Sequence, residues 1–196
     1  MTKFKTFMAA IIAAVSMAGV STAAIAQDSV ILFIDEGKLL TQSQAGKSIS
    51  DQVKVLAAEA EAEVKAEGVK VQEEGKKLEA SKDSLSKDDF AKRYQALLQR
   101  AQQVGQLSQI KQAEVSQAEA RALAELNASL QPVVKKILEK KKATVLLERR
   151  AVVYADDKRD ITDEIIKALD KEIKTVKVQK VDLIAQAQAA QAARNK

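Results

Sequence analysis

The sequence predicts an α+β fold, a small β-sheet body from which a long antiparallel helical hairpin projects as an arm. Three observations predict it. Two stretches rich in β-branched residues, Val30 to Asp35 and Thr144 to Ala155, stand far apart in the chain. Between them, residues 44 to 139 repeat apolar side chains at steps of three and four, the period of a helix with one buried stripe. That pattern breaks once, at residues 84 to 88, where serines interrupt it and the chain can fold back.

The first 26 residues read as an export signal. Lys3 and Lys5 form a positive start, Phe7 to Val20 is an apolar run, and Ala24-Ile25-Ala26 is a small-residue cleavage site. The run is shorter than the roughly 20 residues of a spanning helix, so cleavage after Ala26 is expected in place of anchoring.

In the body, Ser29 to Asp35 is a nearly continuous apolar run of strand length. Ala143 to Glu148 and Ala151 to Tyr154 read as two strands of a hairpin turning at Arg149 and Arg150. Thr162 is a candidate N-cap, with Ile161 and Ile166 spaced as a hydrophobic staple and Asp163 and Glu164 at the positive end of the helix dipole. Thr175 to Val181 fits either an edge strand or a continuation of that helix. The division of the chain is therefore a signal (1–26), a discontinuous body (27–43 and 140–181), the arm (44–139) and a flexible Ala/Gln-rich tail (182–196).

In the arm, the outgoing stripe runs through Ile49, Val53, Leu56, Ala60, Val64, Gly68, Val71, Gly75, Leu78 and Leu85. The returning one runs through Phe90, Tyr94, Leu97, Ala101, Val104, Ser108, Val115, Ala118, Ala122, Leu126, Val133 and Ile137. Folding at the serines pairs positions whose numbers add to about 173, with Ser86 and Asp89 as the cap of the second helix. Each helix of about 40 residues would be roughly 60 Å long at 1.5 Å per residue. Pro132 predicts a kink or a new helix start near the body. Gly68 and Gly105 fall at the same level of the register, which suggests a hinge in the arm; close approach of the two helices is the alternative. An uninterrupted coiled coil is the other architecture of similar length, and it requires the break at Leu85 to Lys87 to be ignored.

The composition argues against an enzyme. The chain has no Cys and no His, so the commonest nucleophile, general base and metal ligands are missing together. No cofactor is expected. Ala45-Gly46-Lys47-Ser48 imitates the end of a phosphate-binding loop, but Thr41 stands where that pattern requires glycine. The acids Asp156, Asp157, Asp160, Asp163 and Glu164 lack the turn glycine of a calcium loop and suit turns and a helix start, so no metal is expected. Nucleic-acid binding, suggested by a pI near 9.2, is opposed by the charge. The full chain is +5, and removing Lys3 and Lys5 leaves 30 basic against 27 acidic residues, or +3. After Gln27 the aromatic residues are Phe33, Phe90, Tyr94 and Tyr154, too few to make a stacking platform among the basic groups.

Lys140, Lys141, Lys142, Arg149 and Arg150 make the arm base basic. They could attract acidic proteins or anionic lipid headgroups over about a Debye length, roughly 8 Å, or serve as a solvated face. So few strands cannot make an independently stable core. Leu146 and Val153 are accordingly candidates for the core of a shared oligomeric sheet.

Taken together, Ile31-Leu32-Phe33-Ile34-Asp35 followed by Gln44-Ala45-Gly46-Lys47, the Ala/Glu/Lys/Gln hairpin, and Val145 to Ala155 followed by Asp160-Ile161-Thr162 resemble the OmpH/Skp family of periplasmic chaperones. The resemblance covers residues 28 to 172. It implies a homotrimer with a common β core and three tentacle-like arms around a cavity. It also implies an ATP-independent holdase that keeps unfolded outer-membrane β-barrel proteins soluble in the periplasm. Contact with anionic lipid or lipopolysaccharide stays open beside that reading. The alternative is a structural coiled-coil spacer or scaffold of the cell envelope.

Overall fold

The computed structural model describes residues 29–194, so the expected signal peptide lies outside the described residues. Strand β1 (Val30–Ile34) leads into α1 (Glu36–Gln42), then the two arm helices α2 (Gln44–Ala80) and α3 (Lys87–Lys140). Strand β2 (Ala143–Glu148) follows, then α4 (Thr162–Glu172) and α5 (Leu183–Arg194).

β1 and β2 pair in parallel, Ile31 to Ile34 opposite Val145 to Glu148, with an irregularity between Val30 and Ile31. Parallel neighbours need a long crossover, and here the whole arm is that crossover. The expected β-hairpin is not formed. Residues 149–151 make a turn of 3-10 helix and Val152 to Tyr154 form no strand. The Arg149 guanidinium holds this turn, donating to the Ala155 carbonyl at 3.3 Å and to the Asp157 carboxylate at 3.1 Å. β2 finds its partner in β1, and the apolar alternation of a strand is the same whichever neighbour it takes.

The core lies where sheet, arm base and α4 meet. Leu32 and Ile34 pack with Leu39, Ile49, Leu126, Val133, Ile137, Ile161, Ile165 and Leu169. Of the kink or new helix start expected at Pro132, the new start is not formed: α3 passes through it as one helix. Proline in a helix interior costs about 3 kcal/mol; the burial of Val133 and Ile137 directly after it offsets that cost.

Thr162 is the first residue of α4 and not its N-cap, which is Ile161. Its hydroxyl instead accepts the Asp35 amide at 2.9 Å and donates to Asp160 Oδ1 at 2.5 Å, and the same carboxylate oxygen accepts the Thr162 amide at 2.9 Å. The Ile161 amide donates to the Phe33 carbonyl at 3.0 Å, so this junction is fastened to β1.

Thr175 to Val181 is neither strand nor helix. It is extended chain lying against the arm base, with Val176 and Val181 buried. The tail expected to be flexible is helical over Leu183–Arg194, and its side chains beyond Leu183 are exposed.

Candidate functional site

The arm is the most extended surface of the molecule, and its geometry follows from residue choice. The turn between α2 and α3 closes at Lys82–Ser84, and Ser86 caps α3 by accepting the Asp89 amide at 3.1 Å while donating to the Asp89 carboxylate at 2.7 Å. At this tip Phe90 stacks with Tyr94, ring centroids 6.3 Å apart, and the Lys82 ammonium sits 5.9 Å over the Phe90 ring. The helices then run antiparallel with Glu74 paired to Arg100 and Glu63 to Lys111. Both pairs add to 174, one unit from the register of the two stripes.

Between tip and base the facing side chains are small. Of the stripe positions from Val64 to Leu97, Leu78 is the one buried residue; Val64, Val71, Phe90 and Leu97 are half-buried. Val55, Val69, Tyr94 and Leu98 point outward and are exposed. The grooves between the helices are open troughs, one lined by Ala57, Val64, Lys111 and Val115, another by Leu78, Leu97 and Arg100. Such a surface offers many shallow apolar contacts bordered by charge.

A methyl group on Gly68 or on Gly105 would meet no atom within 4 Å. Close approach of the helices therefore does not explain either glycine. Changing both to alanine is expected to stabilise the arm by about 1 kcal/mol per site, the propensity difference. Hydrogen exchange of the amides around Val64 to Val71 and Ala101 to Ser108 checks this: slower exchange is expected, and unchanged rates would sink a soft level at the two glycines.

The basic group at the arm base is divided. Lys141 pairs with Glu164 at 2.7 Å, Arg149 with Asp157 at 3.1 Å and Arg150 with Glu148 at 3.2 Å. Among the described residues Lys140 and Lys142 make no ion pair, and Lys142 stands at φ 52, which turns the chain from α3 into β2. Leu146 is turned into the chain's own core, whereas Val145, Leu147, Val153 and Tyr154 are exposed, Val153 completely.

A second polar cluster lies higher on the arm. Lys111 reaches Glu63 at 2.7 Å and Glu114 at 3.2 Å. The hydrogen bond that the Lys111 ammonium donates to Glu63 holds it above its ordinary pKa, opposed by burial and assisted by Glu114. Glu114 is buried, accepting the Leu183 amide at 2.9 Å, and Gln52 bonds to the chain at Val176 and Val178. Sequence reasoning missed these residues. The signal within reach was Val176, Val178 and Val181, apolar residues in a segment otherwise rich in lysine and glutamine.

A two-stranded parallel sheet carrying a helical hairpin with almost no core of its own defines a class of proteins built around an exposed arm. The chain belongs to the OmpH-like family of outer membrane proteins, whose model, described as outer membrane protein (OmpH-like), matches residues 30–169. A crystal structure of a proposed outer membrane chaperone (OmpH-like) from Caulobacter crescentus CB15 is similar to it. That likeness has a TM-score of 0.74 and 27% identity, and covers 81% of this chain and 94% of that one. No curated protein matches the chain. The family match ends before the extended segment that follows α4.

Proposed function

We propose that the mature protein is an ATP-independent holdase of the periplasm that keeps unfolded outer-membrane β-barrel proteins soluble between the arms of a homotrimer. The observation that supports it best is the arm itself, two long helices with half-buried facing stripes and apolar side chains left outside at Val55, Val69 and Leu98. A scaffold rod would gain stability by covering such residues; a holdase uses them as weak contacts whose number makes up for their individual affinity. The likeness to the Caulobacter protein points the same way.

Association of three copies is supported by the sheet. Two strands are too few to be stable alone, and Val145 and Leu147 on β2 and Val153 and Tyr154 after it are left exposed. Lys140 and Lys142 are the basic groups best placed to attract acidic clients or anionic lipid, since their charges are not met by a carboxylate among the described residues.

The test is dilution of a urea-unfolded outer-membrane barrel into buffer holding a threefold excess of mature protein and no nucleotide. Light scattering should stay flat and a soluble complex should form. Aggregation as fast as in buffer alone would overturn the reading.

A further inference from the structure

The extended segment between α4 and α5 is bound in the way a peptide is bound. It crosses the arm base and its backbone is recognised by side chains of the arm. The Gln52 amide donates from Nε2 to the Val176 carbonyl at 2.7 Å and accepts the Val178 amide on Oε1 at 3.1 Å. One side chain thus makes to this segment the two bonds that a neighbouring strand would make. Further along, the buried Glu114 carboxylate accepts the Leu183 amide, and Glu59 pairs with Lys180. Along this stretch Val176 and Val181 are almost fully enclosed, and Leu56, Ala60 and Val115 line the trough beside Val181.

Two features separate this from ordinary packing. Apart from the Glu59–Lys180 pair the bonds go to main-chain atoms, which every sequence possesses, so the trough reads mainly extended backbone and small apolar side chains. Glu114 and Gln52 are also polar hooks beside Leu56, Ala60 and Val115, with the charged Glu59, Glu63 and Lys111 sharing the lining, and the Glu114 carboxylate, placed to receive a backbone amide of a passing chain, has no partner in the arm except Lys111.

We propose that this trough, lined by Gln52, Leu56, Ala60, Glu114 and Val115, is a binding site for extended polypeptide, that residues 174–183 fill it in cis, and that an unfolded client segment displaces them. The site and its cis occupant stand on the geometry; the identity of the competitor rests on the holdase reading. An unfolded β-barrel strand, with apolar residues in alternation and its amides unpaired, is the chemistry the trough fits. A tethered occupant competes at an effective concentration on the order of millimolar, so weak client segments stay excluded and only chains offering many segments at once displace it.

The experiment uses the full mature protein and a synthetic peptide of residues Lys174 to Ile184 added at millimolar excess. Hydrogen exchange at the Val178 and Leu183 amides should quicken about tenfold, because the peptide occupies the trough while the segment is detached. The amides of Leu126 and Ile165 should not change. A peptide with serine in place of its three valines should have no effect. In a second measurement, Gln52→Ala should abolish the response to the valine peptide. Unchanged exchange at Val178 and Leu183, or an equal response to the serine peptide, would overturn the site. If the peptide displaces the segment but an unfolded barrel at saturating concentration does not, the client assignment is overturned and the site stands.

Discussion

Replacing Gly46 with alanine is expected to destabilise the fold by about 2 kcal/mol. A Cβ built on Gly46 would lie 2.1 Å from the Leu40 carbonyl oxygen, 2.7 Å from its carbon and 2.9 Å from its Cα. These are backbone atoms, so no rotamer change relieves the overlap. The chain turns sharply here, at Ser43, whose hydroxyl accepts the Gly46 amide at 3.0 Å and pins the first turn of α2 against the end of α1. Ser43 and Ala45 are fully buried at the same place. Added volume in a tight core costs about 1–3 kcal/mol through the backbone shifts it forces, and a clash with backbone atoms belongs at the upper end; the helix preference for alanine returns about 1 kcal/mol. A urea titration measures the difference, with Gly68→Ala as the control in open space. A Gly46→Ala protein as stable as the parent would show that the contact relaxes freely. The small residue therefore serves the angle at which the arm leaves the body, and the likeness of Ala45 to Ser48 to a phosphate loop is a by-product of that packing.

The arm was legible in the sequence because helical pairing is written locally. Leu78 and Leu97 fall on stripes of period three to four, and the serines of the turn stop both stripes at the same level, so the register came within one unit of the Glu74–Arg100 and Glu63–Lys111 pairs. Strand partnership is not written locally. Val145 and Leu147 alternate as they would in a hairpin or a parallel pair, and nothing near them says that β1, across the whole arm, is their neighbour. The segment at Val176 was harder still. It is held by side-chain amides and carboxylates bonding to its main chain, and such contacts leave no period in either partner. At Pro132 the reverse holds for a new helix start, a strong local rule overridden by the burial around it.

Thr162→Val is expected to destabilise the body by about 3 kcal/mol and to flatten its acid sensitivity. The hydroxyl is completely buried and serves two groups at once, accepting from the Asp35 amide and donating to the Asp160 carboxylate. Valine keeps the shape and leaves both partners without it. A buried donor left unpaired costs about 1–3 kcal/mol and a hydrogen bond to a charged group contributes about 1.5–3 kcal/mol. Burial pushes the Asp160 carboxyl up, but the hydroxyl and amide of Thr162, with the charges of Lys38 and Arg149, outweigh it and hold the group below the ordinary carboxylate value. A carboxyl depressed in the folded state stabilises the fold above its unfolded pKa, near 3.9, and that contribution is lost as pH falls through the lower folded value. The parent should therefore lose stability below about pH 4, and Thr162→Val, with the hydroxyl bond gone and the carboxyl nearer its ordinary value, should lose less over the same window. Thr162→Ser, which keeps the hydroxyl and drops only the methyl group, should recover most of both the stability and the slope. Equal acid slopes for the valine and serine proteins would show that the hydroxyl does not set the Asp160 carboxyl.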